Sequence, residues 1–185
     1  MADRRDFLKM LAGMTAGLGL PNDVLGGENQ KKSDRLGKLL PLRRLGKTGK
    51  AVTMLGVGGH HIGGEMSERE AQATIEAAIE GGVRFFGTAE GYQDGGSESR
   101  YGKFLTPKYR DEVFLMTKTE QQNASDAKVS LEKSLKRLKT DYLDLWQVHT
   151  LESVEDVEER VRGGILDAMM QAKASGKVRH IASSI

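Results

Sequence analysis

Residues 113–149 have the sequence VFLMTKTEQQNASDAKVSLEKSLKRLKTDYLDLWQVH, in which two short apolar runs flank a longer segment. The two runs are Val113–Thr117 and Tyr142–Val148. The segment between them repeats its apolar residues at helical spacing: Ala127, Leu131, Leu135 and Leu138. A strand, a helix and a second strand in this order form the unit from which parallel β-sheets are built. We therefore predict a parallel sheet with helices packed against it.

The same alternation continues on both sides of this unit. Further strands are predicted at Met54–Gly58, Val83–Phe86 and Val178–Ser183. A capping box at Ser67 and Glu70 opens a helix between the first two of them. A last helix is predicted from its apolar positions: Val161, Ile165, Ala168, Met169 and Ala172. The sequence thus holds about five βα units in succession.

Repeated βα units form either an open doubly wound sheet or a closed (β/α)8 TIM barrel. The stretch Gly56-Val57-Gly58-Gly59 follows the first strand, but His61 stands where a dinucleotide-binding GxGxxG motif needs its third glycine. In a barrel the chemistry lies at the carboxyl ends of several strands. Polar residues stand at three successive strand ends: Tyr92, Lys118 and His149. The pattern favours an α/β barrel of which about the first five βα units are present.

Three segments are predicted along the chain. Residues 1–21 carry Arg4-Arg5-Asp6-Phe7-Leu8-Lys9 and then a short, glycine-diluted apolar stretch, which resembles a twin-arginine export signal. Residues 22–40 are polar and predict a linker, and residues 41–185 hold the partial barrel, opened by a hairpin of Leu42–Leu45 and Ala51–Leu55. We expect the twin-arginine machinery as a partner and a periplasmic or cell-envelope location. The apolar stretch is too short for a stable transmembrane span, which needs about 20 residues.

Composition excludes several classes of function. With 28 basic and 26 acidic residues among 185, the net charge of +2 does not indicate a nucleic-acid-binding surface. The sequence has no cysteine, which excludes disulfides, thiol nucleophiles, cysteine-ligated zinc and iron–sulfur clusters.

The strand ends make a family resemblance visible. The stretches FFGTAEGY (85–92), FLMTK (114–118) and SLKRLKTDYLDL (134–145), followed by QVH (147–149), resemble the aldo-keto reductases in this order. The resemblance covers roughly residues 41–184 and implies a TIM barrel. It also implies an oxidoreductase that uses NADPH or NADH to reduce a small carbonyl substrate, an aldehyde or ketone, to an alcohol.

The resemblance assigns catalytic roles to three residues. Tyr92 would donate a proton to the carbonyl oxygen, and Lys118 would stabilise the phenolate, because a phenol is a weak acid that needs a neighbouring cation. His149 would orient the carbonyl by a hydrogen bond. The family pairs the lysine with an aspartate, but Gly87 occupies that position. We therefore expect Lys118 to be less firmly held and turnover to be low.

Candidate cofactor contacts are Gly58, Gly59 and Ser184. Ser184 matches the first residue of a polar pair in the family, whereas Ile185 replaces the asparagine that holds the nicotinamide amide. The family's other cofactor contacts belong to strand ends six to eight, so we expect a truncated chain that is weak or inactive alone. The alternatives are a non-catalytic barrel scaffold and a barrel metallohydrolase that uses His60 and His61.

No metal site is predicted, because adjacent histidines on an extended segment point to opposite sides and no carboxylate cluster accompanies them. Trp146 is interpreted as packing between sheet and helix rather than as a substrate platform. Asp144, in the fourth strand, is interpreted as structural although it could lie near the catalytic end.

Overall fold

The structure is a computed structural model that describes residues 31–184. Its centre is a five-stranded parallel sheet with the order β5-β6-β7-β8-β9. These strands are β5 (Gly56–Gly58), β6 (Phe85–Gly87), β7 (Phe114–Thr119), β8 (Leu143–Val148) and β9 (Val178–Ser183). Their spatial order equals their chain order, as successive βα units require, so the predicted parallel sheet is confirmed.

Six helices join or follow these strands in the described residues. They are α1 (Glu68–Glu80), α2 (Gly96–Phe104), α3 (Thr106–Tyr109), α4 (Ala124–Leu138), α5 (Val154–Arg162) and α6 (Ile165–Ala174). The predicted capping box opens α1, since Ser67 accepts from the Glu70 amide and the Glu70 side chain accepts from the Ser67 amide. The Asn123 and Ser153 side chains cap α4 and α5 by accepting from the amides of Asp126 and Asp156. None of the helices within residues 31–184 is long and apolar enough to cross a membrane.

The last predicted helix is in fact two helices. Gly164 has a φ of 81°, a left-handed conformation that favours glycine, and it separates α5 from α6. Val161, predicted to be a core position, lies in α5 with 55% of its surface exposed. The four later positions of the predicted stripe are buried: Ile165, Ala168, Met169 and Ala172.

Two small hairpins precede the sheet. β3 (Leu42–Arg44) pairs with β4 (Ala51–Thr53), which confirms the predicted hairpin. β1 (Ser33–Asp34) pairs with β2 (Gly37–Lys38), so these residues of the predicted 22–40 linker are structured. The reason is a buried ion pair that joins Asp34 to Arg84, with a distance of 2.6 Å between Arg84 Nε and Asp34 Oδ2. The predicted export signal lies outside the described residues.

The two faces of the sheet differ in burial. On β7 the residues Leu115, Thr117 and Thr119 are 0% exposed, because this face packs against the helices. The alternate residues Phe114, Met116 and Lys118 are half-buried. Trp146, 0% exposed, belongs to the helix-side core, as predicted. The half-buried face is the one that the interior of a barrel would enclose.

Asp144 lies near the start of β8, away from the carboxyl end of the strand. Its carboxylate accepts from the Leu115 amide and pairs with Arg110 and Arg179 at 2.8 and 2.6 Å. The interpretation as a structural residue is therefore confirmed, and a place near the catalytic end is not.

Candidate active site

The site lies at the carboxyl end of the parallel sheet. Tyr92 belongs to the loop after β6, and its amide donates to the Ala89 carbonyl at 3.2 Å. Gln93, Asp94 and Gly95 follow with φ values of 48°, 51° and 83°, which turns the chain into α2. The left-handed region suits Gly95 but is costly for Gln93 and Asp94 unless the fold supports them, and such strain is typical of functional loops.

Lys118, on the half-buried face of β7, is brought to Tyr92. Its Nζ atom lies 3.1 Å from the Tyr92 hydroxyl oxygen and 4.7 Å from the centre of the ring. Nζ also donates to the Thr88 carbonyl at 2.9 Å. A backbone carbonyl and the phenol thus both contact the ammonium group. That Lys118 is held less firmly than it would be beside an aspartate stays a prediction.

His149 follows β8 and completes the group. Its ring centre is 5.7 Å from that of Tyr92, with the two planes at 77°. Its amide donates to the Thr119 carbonyl at 2.8 Å, which continues the pairing of β7 and β8 by one residue. The Arg160 guanidinium in turn donates to the His149 carbonyl at 3.4 Å. Three side chains from three strand ends are thus brought together as predicted.

Glu120 is a site residue that the sequence analysis missed. Its Oε1 atom lies 3.1 Å from His149 Nδ1. An ionised carboxylate only accepts hydrogen bonds, so Nδ1 is the donor, and this contact orients the imidazole. The Glu120 amide donates to Glu90 Oε1 at 2.7 Å, which fixes the backbone at this position. A carboxylate two residues after the strand-end lysine is the signal that could have revealed it.

Gly87 lies on the same face of the sheet as Lys118, because it is paired in register with Met116, two residues before the lysine. A Cβ atom added at Gly87 would lie 3.3 Å from Met116 Cγ. Methionine is flexible and can shift by the few tenths of an ångström that this requires. The position can therefore accept an aspartate, and its side chain would extend on the lysine's side of the sheet.

Only Tyr92 among the two tyrosines near β6 suits acid chemistry. Tyr101 is 0% exposed and lies in the core. Burial raises the pKa of Tyr101 well above its usual range, because the anion would lose its hydration. Tyr92 is only partly buried and has an ammonium group beside its hydroxyl.

The three predicted cofactor contacts lie at the carboxyl ends of β5 and β9 but differ in accessibility. A Cβ atom on Gly58 would have open space around it, so a ligand could approach the backbone there. On Gly59 it would lie 2.5 Å from Ser97 Oγ, which gives this glycine a packing role. The Ser184 amide donates to the Val148 carbonyl at 2.8 Å, which places the residue beside His149. Cofactor contact by these residues stays a prediction.

One reason for predicting no metal site, the extended backbone expected at the two histidines, is overturned. His60 has helical angles (φ −53°, ψ −54°) and His61 opens a 3-10 turn (His61–Gly63), so the two histidines are not on an extended strand. A carboxylate does accompany them, since Glu65 Oε2 is 2.6 Å from His61 Nδ1. The His60 ring also packs edge-on against Tyr92, with 4.9 Å between the ring centres.

Comparison with known proteins identifies the family of this chain. The sequence profile of the aldo/keto reductase family matches residues 54–184. The chain belongs to the aldo/keto reductase family. It is 40% identical over 132 residues to methylglyoxal reductase YeaE of Escherichia coli, covering 70% of this chain and 44% of that protein. It is 35% identical to aldo-keto reductase YhdN of Bacillus subtilis, covering 74% and 44%.

Solved structures of the family share the fold. The holo form of an aldo-keto reductase from Bacillus halodurans matches with a TM-score of 0.69 at 26% identity, over 78% of this chain and 50% of that one. An aldo-keto reductase from Klebsiella pneumoniae in complex with NADPH matches with a TM-score of 0.62 at 31% identity, over 73% and 46%. The five-stranded sheet is therefore part of a TIM barrel of aldo-keto reductase type, and the chain spans about half the length of the relatives it matches.

Proposed function

We propose that this chain carries the proton-donating half of an NAD(P)H-dependent carbonyl reductase, which converts an aldehyde or ketone to an alcohol. One observation carries the proposal: the Lys118 ammonium lies 3.1 Å from the Tyr92 hydroxyl, with the His149 ring 5.7 Å from the tyrosine ring. A phenol beside a cation and a hydrogen-bonding imidazole is the set of groups that protonates a carbonyl oxygen as negative charge builds on it.

The cofactor of the proposed reaction is a nicotinamide dinucleotide, NADPH or NADH. Two Klebsiella pneumoniae structures, at 31% and 33% identity, are in complex with NADPH and with NADP and acetate. When bound, the nicotinamide supplies a hydride to the carbonyl carbon. The open backbone at Gly58 and the hydroxyl of Ser184 are the groups of this chain that would contact the cofactor.

Each side chain has a separate task in the proposed reaction. Tyr92 gives its hydroxyl proton to the carbonyl oxygen, and Lys118 stabilises the phenolate that remains. The Thr88 carbonyl keeps the ammonium group beside the phenol. A His149 ring with a proton on both nitrogens donates from Nδ1 to the Glu120 carboxylate and from Nε2 to the carbonyl oxygen, so that Glu120 orients the imidazole and the imidazole orients the substrate.

The glycine at position 87 is proposed to lower turnover. An aspartate there would lie on the Lys118 side of the sheet and would supply the counter-ion that the ammonium group lacks at this position. Because the Thr88 carbonyl already holds Lys118, we expect Gly87→Asp to raise turnover about tenfold to a hundredfold, or about 1.4–2.7 kcal/mol. We also propose that full activity needs further βα units, since this chain covers only 44% of each of the two relatives named above.

The test uses a chimera that joins this chain to the C-terminal half of the Escherichia coli relative. Methylglyoxal, the substrate in that protein's name, is mixed with NADPH and the loss of absorbance at about 340 nm is followed. Tyr92→Phe should lower turnover by about 10²–10⁴ because it removes the acid. The matched control is Tyr142→Phe, since Tyr142 packs between Arg110 and Arg179 at the opposite end of β8.

A non-catalytic barrel is the second candidate, favoured by the absence of a carboxylate at position 87. If the barrel is non-catalytic, the chimera should not reduce methylglyoxal even with the Gly87→Asp substitution in place. Equal rates for an active chimera with and without the Gly87→Asp substitution would contradict the assigned role of the missing carboxylate. An undiminished rate in Tyr92→Phe would contradict the proposed reaction itself.

We propose, further, that the protein is exported through the twin-arginine route to the periplasm or cell envelope. The support is the sequence Arg4-Arg5-Asp6-Phe7-Leu8-Lys9 close to the first residue. Replacing Arg4 and Arg5 together by lysine should keep the protein in the cytoplasmic fraction. Unchanged fractionation of this double variant would exclude the route.

A further inference from the structure

The turn that follows β5 gathers three side chains that suit a metal ion. His60, His61 and Glu65 each place one possible ligand atom so that all three atoms lie within 4.8 Å of one another. The two imidazole rings are 5.1 Å apart and nearly perpendicular, at 88°. Because the backbone at His60 and His61 is helical and not extended, both rings can reach the same point.

The backbone of this turn is firmly anchored. Ile62 is 1% exposed and its amide donates to the Gly59 carbonyl at 3.1 Å. The Met66 amide donates to the His61 carbonyl at 3.3 Å, which closes the loop that holds Glu65. The Arg100 guanidinium donates to the carbonyls of Ile62 and Met66, the latter at 2.7 Å. Since the backbone is already ordered, a ligand that binds here loses little additional conformational entropy.

The side chains themselves are free to adjust. Those of His61 and Glu65 are 65% and 58% exposed. A tetrahedral ion with bonds of about 2.0–2.1 Å needs ligand atoms about 3.3 Å apart. The present separations, 2.6 Å between His61 Nδ1 and Glu65 Oε2 and at most 4.8 Å within the group, lie on either side of that value. Small rotations of exposed side chains are sufficient to reach it.

We propose that His60, His61 and Glu65 bind a divalent transition-metal cation of the Zn²⁺ type. Imidazole nitrogen is a borderline ligand, so a site with two imidazoles beside one carboxylate favours Zn²⁺, Ni²⁺ or Cu²⁺ over Mg²⁺, which prefers oxygen ligands alone. Three protein ligands leave a fourth position for water. The proposal goes beyond carbonyl reduction, which uses no metal in the reaction described above.

A cation bound by His60 would lie close to the active-site residue Tyr92. The His60 ring centre is 4.9 Å from that of Tyr92, and Lys118 Nζ is 4.7 Å from the same tyrosine ring. A cation held by His60 therefore adds positive charge on the side of Tyr92 that His60 covers, and it fixes the imidazole that packs there. Metal binding should consequently shift the NMR signals of the Tyr92 ring.

The test measures metal binding directly and needs no enzymatic activity. The full chain, without a histidine tag and freed of metal with a chelator, is titrated with ZnCl₂ by calorimetry and in competition with a coloured chelator. We expect one Zn²⁺ per chain and no comparable heat with MgCl₂. Loss of a partner that only orients a ligand costs about 10–100-fold in affinity, so His61→Ala and Glu65→Gln should each weaken binding by at least about tenfold.

A matched control lies three residues beyond the group. Glu68 is an exposed carboxylate at the start of α1 that pairs with Lys103, and Glu68→Gln should keep the affinity of the unmodified chain. Unchanged Zn²⁺ binding in both His61→Ala and Glu65→Gln would overturn the proposal, as would the absence of stoichiometric binding. Loss of binding in His149→Gln alone would also overturn it, by assigning the ion to the His149–Glu120 pair.

Discussion

The ion pair between Asp34 and Arg84 is the contact whose removal should affect stability most clearly. It joins the β1–β2 hairpin to the start of β6 across 50 residues of sequence. Two hydrogen bonds form it, from Arg84 Nε to Asp34 Oδ2 at 2.6 Å and from Nη2 to Oδ1 at 3.1 Å. The side chains of Arg84 and Asp34 are only 6% and 3% exposed. The proposed perturbation is Asp34→Ala.

The expected cost follows from what the variant leaves behind. Arg84 Nη1 still donates to the carbonyls of Ile79 and Val83, at 2.7 and 2.8 Å. The guanidinium therefore stays buried, but without its carboxylate partner. Removing one member of a buried pair costs about 3–5 kcal/mol, because the remaining charge has lost its hydration and its opposite charge, and here keeps only the two carbonyl contacts. At about 2–4 °C per kcal/mol for a chain of this size, the melting temperature should fall by about 6–20 °C.

The assay is urea and thermal unfolding of the full chain, followed by circular dichroism. Glu68→Gln serves as the control, because it breaks an ion pair whose side chains are 52% and 59% exposed, and we expect no measurable change there. A destabilisation of less than about 1 kcal/mol in Asp34→Ala would refute the reasoning, since it would mean that water reaches Arg84.

Three further perturbations test other parts of the structure. Burial, followed by nearby positive charges, lowers the pKa of His180 below 6.5. The contribution of His180 to stability is therefore fully present above about pH 6.5 and is lost as the pH falls below that value. Between pH 7 and pH 5 the melting temperature should fall less in His180→Gln than in the unmodified chain. Glu120→Gln should raise the KM of the active chimera more than it lowers kcat, because it frees the His149 ring while Tyr92 stays in place, and an unchanged KM would contradict the contact. Ser67→Ala should destabilise the chain by about 1 kcal/mol in urea unfolding, because it removes the hydroxyl that accepts from the Glu70 amide, and a neutral result would contradict the capping box.

Much of the fold could be predicted because it depends on local patterns. The hydrophobic periodicity located all five parallel strands, with β9 predicted at its observed bounds, Val178–Ser183. β6 begins at Phe85, later than predicted, because the Arg84 amide donates to Thr53 Oγ1 at 3.1 Å rather than to a neighbouring strand. The same periodicity predicted one helix across Gly164 where the structure has two, because a stripe of apolar residues does not show where a left-handed residue interrupts the helix.

The hairpin at 33–38 was missed for a different reason. Its strands are two residues each, too short to show any alternation of apolar and polar residues. What orders this segment is Arg84, which is distant in sequence and offers no signal near Asp34. A polar segment was therefore interpreted as a linker although one of its carboxylates is buried.

The sequence by itself determined which chemical groups stand at the strand ends, because the chain order of βα units dictates that successive strands end at one edge. Tyr92, Lys118 and His149 were identified in this way, together with the glycine at position 87. Only the tertiary structure decided what these groups contact. The Thr88 carbonyl holds Lys118 across 30 residues, and Glu120 orients His149 across 29.

The same division holds for His60, His61 and Glu65. The sequence showed the two histidines but suggested an extended backbone, on which they would diverge. The helical angles at His60 arise from the anchoring of Ile62 in the core and from the contacts of Arg100, which lies 38 residues away from Ile62. Contacts at such separations depend on the direction in which each side chain leaves its element, and the folded arrangement alone sets that direction.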